Sequence, residues 1–263
     1  RIAWCVADSG HRMVLGSPMS TYTILCYHEV HSAQRSRFER QAAELVTGVS
    51  AVPLDYRFGE HETGHFVAVT FDDGYRDFLR NVLPVLNLHG FSGTLFLVAD
   101  HVGGTNAWDA RHGDPPRALL GWSEAAELAA MGMEIGSHAR THRFLPGLPG
   151  AELEEEIRGS KSILEDRLGR PVRFFSYPHG LHDGRSVALV ASAGYEGACA
   201  DIRGGNRAGT DPYRLRRTLL TVHDGRWSFA FKLRTGFGMR EWAGKKVEEL
   251  RRDPALAPRE AVS

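Results

Sequence analysis

Val69-Thr70-Phe71-Asp72-Asp73-Gly74-Tyr75 sets two adjacent carboxylates at the end of an apolar, β-branched run, Phe66-Val67-Ala68-Val69. That run reads as a buried strand. Gly74 breaks it, and a helical pattern follows. Neighbouring carboxylates raise each other's pKa, so a positive group is expected beside them. Taken alone, the pair fits a structural reading, one Asp capping the next helix and the other solvated, as well as a functional one.

Outward from this stretch, strands and helices alternate. Upstream, a short strand over 23–27 ends at His28-Glu29, and Phe38, Ala42 and Leu45 mark a helix over 36–46. Residues 47–64 read as a short strand and a polar loop. Downstream, a helix over 77–89 carries Pro84, which predicts a kink or break. Strands are expected at 93–98, 132–137, 172–176, 197–200 and 219–222, and helices at 123–131, 151–168, 184–193, 227–235 and 240–252. The segment 100–118 reads as a long loop, and loops of that length in compact domains tend to serve function. Repeated βα units predict a parallel sheet, either a barrel or a doubly wound sheet. His28, Asp72-Asp73, His138 with His142, and Pro178-His179 all stand just after predicted strands. In a parallel barrel these positions share the C-terminal rim, where active sites are built.

The totals narrow the function. Lys plus Arg equals Asp plus Glu at 32 each, which gives no support to a nucleic-acid partner. Hydrophobic residues make up 42% of the 263, ample for one large core. Cys5, Cys26 and Cys199 lack the CxxC spacing of a thiolate zinc site or a disulfide scaffold. No apolar run reaches the roughly 18 residues of a membrane helix. The chain opens on Arg1 without a basic-then-apolar segment. With free cysteines this sets a cytoplasmic expectation, with the envelope or the outside open should the N-terminus be incomplete. The oligomeric state is not written in the sequence.

His138 and His142 are four apart, a spacing that on a helical turn lets both imidazoles grip one ion. Two His and one Asp make a catalytic divalent site with an open position for water. One Asp of the pair would then be neutralised by the ion, and the other would be free to take a proton from water. Such an ion lowers the pKa of bound water from ~15.7 to about 7, within reach of a carboxylate base. The donor set suits zinc, and also cobalt, nickel or iron.

Thr70-Phe71-Asp72-Asp73-Gly74, Ser137-His138-Ala139-Arg140-Thr141-His142 and Tyr177-Pro178-His179-Gly180 resemble, in order, three motifs of the polysaccharide deacetylases, carbohydrate esterase family 4 (the NodB-homology group). Tyr27-His28-Glu29-Val30, Gly121-Trp122-Ser123 and Met133-Glu134-Ile135-Gly136 are also similar to that family. The Ser-Tyr-Pro-x-Gly form of the third motif is similar to the branch acting on exopolysaccharides such as poly-N-acetylglucosamine. The resemblance covers about 21–225 and implies a distorted (β/α) barrel of about seven strands, fewer than eight complete units. It implies hydrolysis of acetyl groups, chiefly N-acetyl, from a glycan. It makes Asp72 the base and Asp73, His138 and His142 the metal ligands. The backbone N–H of His179 becomes the oxyanion donor. His223, in Leu220-Thr221-Val222-His223-Asp224-Gly225, is the candidate general acid, although its spacing departs from the family's late motif. Arg173, Arg216 and Arg217 compete to pair with the base, and Arg217 is preferred for its place before the last predicted strand. His28, Tyr177, Pro178 and Arg217 are the candidates for substrate contact. Trp108 could stack on a sugar or pack within its loop, and Trp122 is expected to pack inward at a helix start. His11, His31, His61, His65, His101, His112 and His182 are assigned to the surface.

By this reading 1–20 is an irregular leader, 21–240 the catalytic domain, and 241–263 a C-terminal helix with a frayed tail. Two rivals remain open: a non-catalytic carbohydrate-binding protein on the same scaffold, and an amidase for a small substrate, which a pocket closed by the 100–118 loop would favour.

Overall fold

The computed structural model describes residues 21–56, 64–112, 115–221 and 224–244. In chain order its main elements are β1 (Thr21–Tyr27), α1 (Arg35–Gly48), β2 (Ser50–Ala51), β3 (His65–Phe71), α2 (Phe78–Asn81), α3 (Leu83–His89), β4 (Thr94–Leu97) and α4 (Trp122–Ala130). Then come β5 (Glu134–Ser137), α5 (Gly150–Glu154), α6 (Ser160–Leu168), β6 (Phe174–Ser176), α7 (Gly184–Ser192), β7 (Gly197–Ala200), β8 (Leu215–Leu219) and α8 (Arg226–Thr235). The strands run in the order β1-β8-β7-β6-β5-β4-β3-β2, and β1 pairs with β3. That pairing closes seven parallel strands into a barrel. The two-residue β2 joins β3 at Phe66 and Val67, beside the later pairing of β3 with β4 at Thr70 and Phe71. Among the described residues no helix is long and apolar enough to cross a membrane.

The period of two along each strand divides the core. Tyr22, Ile24, Ala68, Phe96, Phe174, Cys199 and Leu215 fill the barrel. Their alternates Leu25, Val67, Val69, Phe71, Leu95, Ile135 and Phe175 face outward, under the helices. The lumen is narrow. A Cβ on Gly136 would stand 2.5 Å from the Phe96 ring, so only glycine fits there. Extending the inward series past each strand reaches His28 from β1, Asp72 from β3, His138 from β5 and Asp201 from β7. The residues of the rim are the continuation of the lumen's own periodicity.

Pro84 does interrupt its helix: α2 ends at Asn81, and α3 starts afresh at Leu83 with the proline in its first turn. The helix expected over 151–168 holds, but with a π turn over Glu155–Gly159 at its centre. The last strand is corrected. It is Leu215–Leu219, ahead of the 219–222 run expected from apolarity. Arg217 lies within this strand and is only 2% exposed, and the reason lies in its partner. The leader 1–20 and most of the tail, 245–263, lie outside the described residues.

The chain leaving β1 is clamped to the helix that follows the diacid. Val30 N–H donates to Asp77 Oδ2 at 2.9 Å, and Asn81 Nδ2 donates to Val30 O at 2.7 Å. Asp77 Oδ1 is buried without a partner. Burial therefore pushes the Asp77 carboxyl up, from 3.8 to about 6, against its backbone hydrogen bond from Val30. The unfolded chain loses this proton first, so stability falls as pH rises from about 4 to about 6. Asp77→Asn, which has no charge to bury, is expected to flatten that part of the profile. Urea midpoints measured across the window read this directly, and an unchanged slope in the variant contradicts it.

Candidate active site

The barrel's hydrogen bonds run one residue past the strands and fix the rim. Asp72 N donates to Tyr27 O at 2.9 Å, His138 N to Leu97 O at 2.8 Å, and Tyr177 N to Cys199 O at 3.0 Å. The backbone then turns sharply. The residues with positive φ other than glycine, among those described, are Asp73 (69°), Ala139 (63°), His142 (62°) and His179 (57°). All four fall in the three motifs. Left-handed backbone is unfavourable for side chains other than glycine and is held where the surroundings enforce it.

Asp72 and Asp73 are both buried, and their environments differ. Arg217 grips Asp72 with two parallel bonds, Nη1 to Oδ1 and Nη2 to Oδ2, both 2.7 Å. Ser176 Oγ adds a bond to Oδ2 at 3.3 Å. Burial opposes ionisation of Asp72, but the Arg217 guanidinium overrides it and holds the carboxyl well below the usual carboxylate range. Arg217 Nη2 also reaches Asp201 Oδ1 at 3.3 Å. Gly180, with φ 67°, passes so close to Asp201 that a Cβ there would sit 2.1 Å from the Asp201 Cβ.

Asp73 has no such partner. Its Oδ1 is buried and accepts no hydrogen bond. Nε2 of His138 stands 3.5 Å from it and Nε2 of His142 3.4 Å. These separations are long for hydrogen bonds. They match two ligands sharing one tetrahedral ion at ~2.1 Å, which lie about 3.4 Å apart. His138 Nδ1 bonds to Ser176 O at 2.8 Å, which leaves Nε2 for the centre. Burial pushes the His138 pKa down to about 4, so the imidazole is neutral, as a ligand must be. Asp73, His138 and His142 are thus a group able to hold a divalent ion, with ligand atoms all within 4.8 Å. A second group, Cys26, His28 and Asp72, meets the same distance, but Arg217 already satisfies its carboxylate.

His138 and His142 do not share a helical turn, as their spacing suggested. They stand in an irregular turn after β5, where left-handed Ala139 and His142 fold the second imidazole back beside the first. Glu156 holds this turn. Its carboxylate accepts from Arg140 N at 3.0 Å, from Thr141 N at 2.9 Å and from the Thr141 hydroxyl. Glu156 reaches it from the π turn, a device often found at functional sites. His142 Nδ1 lacks a partner; the ring is instead sandwiched. Trp108 stacks on it at 4.6 Å and 26°, and the His179 ring meets it edge-on at 4.6 Å. His179 in turn stacks on the exposed Phe144 at 4.0 Å.

A depression of about 190 Å³ is lined by His28, Asp72, Asp73, His138, His142, His179 and Arg217. The structure therefore gathers most of the residues singled out from the sequence. Tyr177 is a correction: it is fully buried, and its hydroxyl donates to Tyr213 O at 3.1 Å, away from the depression. Pro178 is buried in the turn that presents His179. Arg173 pairs with Asp55 and Glu134 at the opposite end of β6, and Arg216 points outward. His223 lies outside the described residues, although Asp224 beside it is anchored by Thr221, Ser228 and Lys232. Trp122 begins α4 and packs against the core. Trp108, Asp109, Tyr75 and Asp201 also line the depression. Spacing gave no signal for the acids among them. For Trp108 the signal was an aromatic residue in a long loop.

Arg217→Met would strand a buried carboxylate and is expected to cost about 3–5 kcal/mol in chemical unfolding of the metal-free protein. Adding Asp72→Asn should recover part of that loss, whereas additive losses would mean the two residues are independent. Glu156→Ala is expected to weaken metal binding ~10–100-fold with the fold retained, read by competition with a chromogenic chelator.

Residues 59–198 match the family model described as polysaccharide deacetylase. Among solved structures, the chain is similar to IcaB from Ammonifex degensii, with 25% identity and a TM-score of 0.68 over 82% of this chain and 97% of that one. It is also similar to BC0361, a polysaccharide deacetylase from Bacillus cereus, with 25% identity and a TM-score of 0.66 over 81% and 69%. Among curated proteins it matches a chitin deacetylase of Pestalotiopsis at 23% identity, over 61% of this chain and 53% of that protein. YxkH of Bacillus subtilis matches at 27% over 49% and 42%. The chain thus spans about half the length of the curated relatives it matches. The matched family segment covers over half of the 263 residues and contains the diacid, the histidine pair and the Pro-His turn, and the chain belongs to the polysaccharide deacetylase family.

Proposed function

We propose that the protein is a metal-dependent deacetylase that removes N-acetyl groups from an N-acetylglucosamine-containing glycan and releases acetate. The observation that carries this reading is the division of the acid pair. One carboxylate is ion-paired and saturated, while the other is buried, unpartnered and faced by the Nε2 atoms of two imidazoles.

Asp73, His138 and His142 would hold the divalent ion, and zinc fits the set best. Bound there, it would supply Lewis acidity to the acyl carbonyl and acidify a water molecule. Asp72 accepts the proton from the attacking water at a carboxylate oxygen. Arg217 keeps that carboxylate ionised and oriented, at the cost of basicity; acidified water needs only a weak base. The backbone N–H of His179, in a left-handed turn beside the ligand set, would donate to the oxygen that gains charge as the carbonyl becomes tetrahedral. Collapse breaks the C–N bond, and the amine leaves with a proton. His223 is the sequence's candidate to provide it. His28 lines the depression, which supports a contact with the sugar.

The complete ligand set supports an enzyme over a binding protein on the same scaffold. The depression shares His28 with a larger cavity of about 480 Å³, which supports a polymer over a small amide.

Asp72→Asn is expected to keep one equivalent of metal while acetate release falls ~10²–10⁴-fold. Asp73→Ala, or His138→Ala with His142→Ala, is expected to lose the metal itself. Metal content by mass spectrometry and acetate release from N-acetylglucosamine oligomers read both. One equivalent of metal in the double histidine variant overturns the site, and full activity in Asp72→Asn removes Asp72 as the base.

A further inference from the structure

Three cavities lie in series along one side of the rim. The active-site depression shares His28 with the cavity of about 480 Å³, whose floor includes Tyr27, Phe38 and Leu220. That cavity shares Arg37 with a third, of about 340 Å³, between α1 and the start of α8. Together they follow α1 from Gln34 to Glu44, roughly 15 Å at the helical rise.

What marks this path is not its net charge, four arginines against Glu29, Glu44 and Asp224, but which of them lack partners. The whole chain is balanced, with 32 basic and 32 acidic residues. The two outer cavities are lined by Arg117, Arg37, Arg40 and Arg226. Arg117 is ion-paired with Glu29, and Arg226 lies 3.5 Å from Glu44. Asp224, also on this lining, is held by Lys232 at 2.8 Å. Arg37 and Arg40 make no hydrogen bond or ion pair among the described residues. Arg37 is half-buried, so it gives up part of its hydration without a partner in return. Arginine is suited to two-point recognition of carboxylate or phosphate. The apolar floor suits the C–H faces of sugar rings, and the path begins at the reacting centre.

We propose that the substrate is an anionic glycan, and that the groove along α1 binds a carboxylate- or phosphate-bearing unit further along the chain that carries the acetylated sugar, with Arg37 and Arg40 as its specificity-determining residues. This rests on the deacetylase reading and narrows it. A neutral homopolymer would leave both guanidiniums unused.

The test compares three oligomers of equal length: neutral N-acetylglucosamine, N-acetylglucosamine alternating with glucuronate, and N-acetylglucosamine units joined by phosphodiesters. Calorimetric binding is measured on the metal-free full chain and on Arg37→Ala/Arg40→Ala, so it holds whether or not acetate is released. At low salt, at least one anionic oligomer should bind about tenfold or more tighter than the neutral one. The advantage should vanish in the variant, and in about 0.5 M salt, where screening is strong. Whichever anionic oligomer shows it identifies the group. In acetate release, the variant should raise KM for that oligomer, leave kcat unchanged, and treat the neutral oligomer as the parent does. Equal binding of all three oligomers by the parent overturns the proposal, as does anionic binding that the variant retains. Acetate release from none of them would remove the deacetylase reading, while the binding contrast still decides the groove.

Discussion

The buried ion pair between Arg217 and Asp72 is the constraint on which the rest of the rim depends. Two parallel bonds of 2.7 Å join the last barrel strand to the end of β3, across the lumen's mouth. Among the described residues Arg217 is the bulkiest fully buried side chain. It occupies the level that apolar residues fill lower in the barrel. A pair in such surroundings stands only when every charge is met. Asp201 adds a contact to the guanidinium and Ser176 one to the carboxylate, while Arg217 Nε stays buried without a partner. Because Arg217 saturates Asp72, the adjacent Asp73 is left to face the histidines. One arginine thus separates the roles of two neighbouring carboxylates.

The second constraint is backbone geometry. Four left-handed residues carry Asp73, His142 and His179 to the centre, with Ala139 between the imidazoles. None gains its position from helix or strand. They are held by Glu156 from the π turn, by the Trp108 stack, and by the glycine-mediated approach of Gly180 to Asp201. Rigid strands set the level of the site, and turns aim the side chains.

Much of this was legible in the sequence. The βα alternation gave a parallel sheet, barrel or doubly wound; the family resemblance of the three motifs pointed to the barrel and to Asp72, Asp73, His138, His142 and His179. The misses have physical reasons. Arg217 was the preferred partner of Asp72, but the strand that carries it was missed, because apolarity alone placed the last strand at 219–222 and a strand with two arginines becomes buried only through a carboxylate 145 residues away. The His-x-x-x-His spacing suggested a helical turn, because left-handed non-glycine backbone leaves no compositional mark. Tyr177 looked like a groove residue from its motif, but the parity of β6 turns it outward beneath the helices, with Phe175. Glu156 was invisible as a support, since its reach depends on one inserted residue's worth of π turn.

The central claim is that a divalent ion lies on Asp73, His138 and His142 while Asp72 stays with Arg217. Anomalous diffraction at the metal edge, on crystals grown with one equivalent of zinc, tests this most directly. The account predicts a single strong peak within bonding distance of Asp73 Oδ1 and the Nε2 atoms of His138 and His142, with the Arg217–Asp72 pair intact. A peak on Cys26, His28 and Asp72 instead, or one that draws Asp72 away from Arg217, would contradict it.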